Sequence, residues 1–240
     1  MTEKKTQQPS RPKTLADVRP MREEDLKEAL ENRLSPFVYD AIKDRLDTIP
    51  VHLQEALVQK IRLPRRAMID FQIPFNRHQM REIALEALYQ HLLLDKDIRK
   101  SLYDAMLGSN AVDGYLYSLT VGTVENEEHY KELLSPYLRE DWEFDRLSLL
   151  EQAILLMSCQ EILENETPKS VAINEAVTLA KEYCDDPSPK LINGILDHLP
   201  DYSTQSDQKD PTLNQGENAV DSTSAPEALE SQDDAHDSSL

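Results

Sequence analysis

Glycine is scarce in this chain, and its scarcity closes off a large class of nucleotide-handling proteins. The five glycines, Gly108, Gly114, Gly122, Gly194 and Gly216, are scattered along 240 residues, whereas a phosphate-cradling loop needs several within a few positions. Neither a P-loop nor a dinucleotide fingerprint can be assembled from them. Cysteine is equally sparse. Cys159 and Cys184 stand far apart in the sequence, which gives neither a metal-ligand cluster nor a disulfide framework and fits a reducing compartment. His91 and His129 lack partners at metal-ligating spacing, and no cofactor is expected. No apolar run approaches the ~18 to 20 residues of a membrane span. The polar start MTEKKTQQPSRPK also has no apolar stretch of the secretory kind. The expectation is a soluble, cytoplasmic protein with no membrane contact.

Positive charge is the other shortage: 26 Lys and Arg face 45 Asp and Glu, for a net charge of −19. Phosphate binding depends on cations that displace counterions, so the total argues against nucleic acid until its distribution is examined. Residues 1–75 carry 14 basic and 12 acidic side chains, residues 76–202 carry 11 and 24, and residues 203–240 carry 1 and 9. The last segment has almost no large apolar residue, cannot bury enough surface to offset its ordering entropy, and reads as a disordered acidic tail. It is either a solubilising tail or a decoy that competes with RNA for the basic segment.

Residues 1–20 are polar and Pro-punctuated and read as disordered. Residues 21–66 read as a helical N-terminal extension of unknown role. Three helical stretches are expected there: Glu23–Arg33, a stretch opened by Ser35-Pro36 and running over Phe37–Ile49, and one opened by Pro50 over Val51–Ile61. Leu26/Leu30/Leu34 and Val38/Ile42/Leu46 form their apolar rows. Residues 67–75, within LPRRAMIDFQIPFN, read as a linker.

From Asn76 onward the apolar residues recur with period 3.6 and no stretch alternates as a half-buried strand does. The fold class is all-α. Asn76 with Gln79 three residues on is a capping-box pattern. It opens a helix to about Leu94, with Ile83, Ala84, Ala87, Leu88 and Leu92 as its stripe. Weaker helices follow at about 96–107, 109–124 and 126–138, the last interrupted by Pro136. LSLLEQAILLMSCQEIL, Leu147 to Leu163, is apolar on most faces and marks a helix in the middle of a bundle. Trp142 is placed at a helix junction before it, and the two cysteines read as small buried hydrophobes. Thr167-Pro168 reads as the start of the next helix and Ser188-Pro189 as the cap of the last. Gly194 inside that last helix suggests close approach by another backbone. About seven helices joined by short turns over residues 76–202 make an antiparallel bundle.

Three segments in this order resemble the NusB family of bacterial transcription antitermination factors: RHQMREIALEALYQ (Arg77–Gln90), TPKSVAINEAVTLAKEY (Thr167–Tyr183) and SPKLINGILD (Ser188–Asp197). Leu119 to Thr123 and Trp142 to Leu147 support the match, which covers about residues 76–200. The resemblance implies a non-catalytic, all-helical RNA-binding domain. It implies pairing with the small-subunit ribosomal protein also called NusE, binding of boxA RNA in rRNA leaders, and entry into an antitermination complex on RNA polymerase. Relatives also self-associate, so a homodimer or protein-interaction module is one alternative. An RNA-binding domain of an rRNA-modifying enzyme is another, but the residues after the bundle cannot supply the second domain it needs.

The family's basic first-helix positions fall on Arg77, His78 and Arg81. Arg77 and Arg81 lie four apart, on one helix face. They either contact phosphates bidentately or form surface salt bridges to Glu82 or Glu86. Tyr89 is either a stacking aromatic or a partly buried core tyrosine. Tyr183 matches another family aromatic and Lys190 the basic residue before Asn193-Gly194. Asn174 and Glu175 sit beside a buried face, and a buried Asn174 tying helices together is the preferred reading. Pro187 and Leu191 depart from the family pattern at the lip of the expected RNA groove. Lys60, Arg62, Arg65 and Arg66 either continue the Arg77/Arg81 stripe or belong to an exposed linker. The ribosomal partner is expected on an acidic surface drawn from residues 113–145.

Overall fold

The computed structural model describes residues 13–138, 143–165 and 167–200. The acidic tail, the first twelve residues and Trp142, each with an expectation attached above, lie outside the described residues. Among the described residues every regular element is helical, and no helix is long and apolar enough to cross a membrane.

Among the described residues four helices precede the bundle: α1 (Glu23–Arg33), α2 (Pro36–Ile42), α3 (Val51–Val58) and α4 (Arg65–Asp70). Ser35 caps α2 by accepting from the Val38 amide, with Pro36 as its first residue. Residues 43–48 tighten into a 3-10 turn. Two corrections apply here. Residues 13–20 are not simply disordered: Thr14 and Asp17 close a capping box around a 3-10 turn at Leu15–Asp17. The linker expected at 67–75 begins inside α4, whose Met68 is buried in the extension's own core with Ile42, Ile49, Leu53, Ala56, Ile61, Leu63 and Ile73.

The bundle consists of α5 (Arg77–Leu94), α6 (Ile98–Ala105), α7 (Gly114–Tyr117), a π segment (Ser118–Gly122), α8 (Thr123–Glu125), α9 (Glu127–Leu134), α10 (Leu149–Leu163), α11 (Lys169–Tyr183) and α12 (Ser188–Leu196). Asn76 and Gln79 form the expected reciprocal cap of α5, and Ser148 and Glu151 form another on α10. As its apolar composition requires, α10 is central, with eleven of its fifteen residues buried. Phe75 packs against both the extension core and the bundle core, so the two are joined by apolar contact as well as by chain.

Three local expectations are corrected. Pro168 holds the N-cap position of α11 and makes no side-chain cap bond. Ser188 lies inside α12, and its buried hydroxyl donates to Glu151 Oε1 at 2.7 Å, pinning α12 to α10. Gly194 faces open space, and nothing approaches within 4 Å of where its Cβ would sit. The close approach occurs at Gly122, where an added Cβ would stand 2.6 Å from Gln160 Nε2.

Candidate nucleic-acid interface

The first turn of α5 carries the expected basic residues, and their environments differ sharply. Arg77, at the first helical position, keeps 61% of its side chain exposed. Its guanidinium lies 3.9 Å over the Tyr115 ring, a cation–π contact that holds the side chain out along the surface. Asp113 Oδ1 lies 3.7 Å from it.

Arg81, one turn on, is 5% exposed. Its Nε donates to Glu161 at 3.0 and 3.2 Å, Nη2 forms a further very short contact to Glu161 Oε1, and Nη1 stands 3.3 Å from Glu175 Oε2. Tyr115 donates its hydroxyl to Glu161 Oε1 at 2.8 Å. Burial works against the charged guanidinium, but the Glu161 bonds and charge outweigh it and raise the Arg81 pKa. Burial and then Glu161's charge push the Tyr115 hydroxyl well above its ordinary value. The expectation that Arg81 meets phosphate is therefore corrected: its guanidinium is buried and already faces two carboxylates, out of reach of an RNA backbone on the surface. It is also not the surface pair with Glu82 or Glu86.

Those two carboxylates take partners from the extension. Arg62 Nη2 donates to Glu82 Oε2 at 2.5 Å, and Arg65 Nη1 donates to Glu86 Oε2 at 2.7 Å and to the Ala105 carbonyl at the end of α6. Arg66 pairs with Asp70 within α4. Arg65 and Arg66 thus dock and staple the extension rather than extend a free basic stripe.

Tyr183 is 44% exposed and donates to Glu82 Oε1 at 2.9 Å. Burial, then that bond, raises its pKa. His78 lies between two other carboxylates: its Nδ1 is 2.8 Å from Glu175 Oε2 and its Nε2 3.8 Å from Glu182. His78, Glu82 and Glu182 bring ligand-type atoms together, but Glu82 is already held by Arg62 and Tyr183. Tyr89 is half-buried, while Lys190, Asn193 and Gly194 are exposed on α12. Asn174 is exposed as well, which corrects the reading of a buried Asn. The helix-tying role belongs to its neighbour Glu175, which bridges α11 to His78 and Arg81 on α5.

The site as built has two parts on the first turns of α5: Arg77 lies over Tyr115 of α7, while His78 and Tyr183 meet around Glu82, Glu175 and Glu182, with Arg62 of the extension on Glu82. Tyr115 and Glu161 were not singled out from sequence as parts of it; Arg62 figured there only in the basic run, and Glu82 only as a surface partner for Arg77 or Arg81. One signal was available for Glu161: a carboxylate far from the first turn of a helix apolar on most faces has to find a cation.

These elements define an all-helical bundle that presents a cationic first turn, with Arg77 and His78, on a buried core. A family model described as the NusB family matches residues 78–201. The chain belongs to the NusB family. It is 35% identical over 124 residues to a transcription antitermination protein NusB of Bacillus licheniformis, covering 51% of this chain and 95% of that protein. It is 37% identical over 134 residues to one from Helicobacter hepaticus, covering 54% and 85%. A 46% match to a Lactococcus lactis NusB spans 34% of this chain and 43% of that protein. Among solved structures, NusB of T. maritima matches at 31% identity over 52% of this chain and 90% of that one, with a TM-score of 0.46.

Proposed function

We propose that this chain is a non-catalytic RNA-binding transcription antitermination factor. In this reading it pairs with the small-subunit ribosomal protein called NusE, binds boxA-type RNA of rRNA leaders, and acts within an antitermination complex on RNA polymerase. The observation that carries the reading is family membership across the whole bundle, together with an exposed arginine held in place at the first turn of α5. Arg77 is preorganised by Tyr115, so little side-chain entropy is lost when it meets a phosphate. Tyr183, 44% exposed, offers an aromatic face for an unpaired base. This reading takes Tyr89 and Lys190 as further RNA contacts, while Arg81 serves by fixing α5 on α10 and α11.

The bundle's acidity sets the terms of binding. Attraction beyond ~8 Å is screened at physiological salt, so one cationic edge on an acidic bundle binds RNA feebly by itself. The exposed Glu125, Glu128 and Glu132 of α8 and α9 recur at helical spacing and offer a face for a basic partner. Fluorescence anisotropy of labelled boxA RNA, with and without the ribosomal partner, tests the reading. Tight binding only with the partner is expected; no binding in either arm would overturn it.

A further inference from the structure

The extension itself carries a second basic surface, separate from the paired arginines 62, 65 and 66. Lys13, Arg19, Arg33 and Lys60 line one open hollow between the 3-10 turn at Leu15–Asp17, the end of α1 and the end of α3. Asp17, already engaged by Thr14, is the acidic residue among its lining. Arg33 and Lys60 also line an adjoining cleft of about 420 Å³ that runs along the extension to Arg62, His78 and Glu82. The two spaces form a continuous path from the outer end of the extension to the α5 edge.

Two features set this groove apart from an ordinary solvated surface. In a chain of net charge −19, cations in the extension commonly take carboxylate partners: Arg22 with Asp25, Lys27 with Glu23, Lys43 with Asp40, Arg62 with Glu82, Arg65 with Glu86 and Arg66 with Asp70. Among the described residues, Lys13, Arg19, Arg33 and Lys60 have none. The groove is also held in shape. Arg19 and Gln59 exchange two hydrogen bonds, Arg19 N to Gln59 Oε1 at 3.1 Å and Gln59 Nε2 to Arg19 O at 2.8 Å, fixing the N-terminal turn on the end of α3. Lys60 adopts a left-handed backbone, φ 55°, in a turn closed by the Ile61 amide on the Ala56 carbonyl at 2.8 Å. Glycine is the ordinary occupant of such a position; here a lysine holds it at the mouth of both spaces.

We infer that this groove binds the phosphate backbone of RNA flanking the segment held at the α5 edge, adding a sequence-independent clamp to the family's bundle. The inference rests on the reading of the chain as an RNA-binding protein. A run of unpaired cations continuous with the Arg62/His78/Tyr183 edge suits a polyanion that tracks along a surface.

The test uses the full chain with its basic ribosomal partner and a labelled single-stranded boxA-type RNA, titrated from about 50 to 200 mM salt. The variant is Arg33→Gln with Lys60→Gly. Glycine accepts the positive φ, so the melting temperature is kept and a binding loss reflects charge. Two lost contacts should lower the magnitude of the salt slope by about 1.4, narrowing the gap between wild type and variant about sevenfold across that salt range. Arg77→Ala, outside the groove, reports on the α5 edge separately. If Arg77→Ala weakens binding while the groove variant matches wild type, the groove inference falls and the RNA reading stands. If wild type binds no RNA, both fall. If RNA binding is unaltered and an amine–carboxylate crosslink joins Lys60 to residues 203–240, the groove holds the acidic tail and the inference is overturned.

Discussion

Arg81 and Glu161 form a buried ion pair that locks the first helix of the bundle onto its central one. Arg81 Nε donates to both carboxylate oxygens, with the side chains 6% and 2% exposed. Removing one partner leaves an uncompensated buried charge, which costs about 3–5 kcal/mol. Arg81→Ala should lower the unfolding free energy by that order, and Glu161→Gln by less, because Glu175 Oε2 still faces Arg81 Nη1 at 3.3 Å. Arg77→Ala should leave stability within about 0.5 kcal/mol while reducing the salt slope of RNA binding. Urea unfolding beside RNA titration of the same variants separates the two arginines; equal stability losses would contradict the division of labour.

The glycines give an opposed pair. At Gly122 a Cβ meets Gln160, whose amide is held by Tyr130 at 2.6 Å, Asn126 at 3.2 Å and Ser118 at 2.9 Å. The amide can retreat only by giving up those bonds, so Gly122→Ala should destabilise by about 1–3 kcal/mol. Gly194 sits in an exposed helix interior with open space around it. Gly194→Ala should therefore stabilise by about 0.5–1 kcal/mol. Thermal unfolding of both variants checks the sign as well as the size.

Stability should decline on the alkaline side. Burial pushes the Cys184 thiol up to about 11, and burial followed by a neighbouring carboxylate raises Tyr115 and Tyr130 above the usual phenol range. Each group is held protonated in the folded state when its unfolded counterpart has begun to ionise. The folded chain then binds more protons, and stability falls as pH rises. The contribution of Cys184 is present below about pH 9 and lost by about 11. Melting temperatures from pH 8 to 11 should fall, and Cys184→Ala should flatten part of the fall.

Arg65 joins the extension to two bundle helices at once, through Glu86 of α5 and the Ala105 carbonyl at the end of α6. Arg65→Ala should loosen docking by about 1.5–3 kcal/mol, the range for hydrogen bonds to charged groups. Hydrogen exchange would read this as lost protection in α4 and at the end of α6, with α10 unaffected.

Local chemistry made much of this fold legible in advance. The Asn76/Gln79 box, Ser35-Pro36 and the unbroken apolar run of α10 each announce a helix from within a few residues. The six-residue α4 escaped notice because it is shorter than two turns and lies among prolines, where periodicity has nothing to repeat. The site was legible only in outline. Position on α5 marks Arg77 and Arg81 alike, and what distinguishes them is a tyrosine and a glutamate far along the chain. Asn174 and Glu175 show the same limit: both border a buried face, and only the packing of α11 on α5 decides which turns inward.

The spacing of these pairs along the chain also has a meaning in time. Arg62 and Glu82 are separated by 20 residues, Arg81 and Glu161 by 80, and Tyr183 and Glu82 by 101. At a synthesis rate of roughly 5–20 residues per second, the extension can meet α5 about 1–4 s after Arg62 is made. Arg81 waits roughly 4–16 s for its carboxylate to be made. During that interval the nascent first helix is a cationic segment with its acidic positions already neutralised by the extension, and the bundle closes over Arg81 only when α10 emerges.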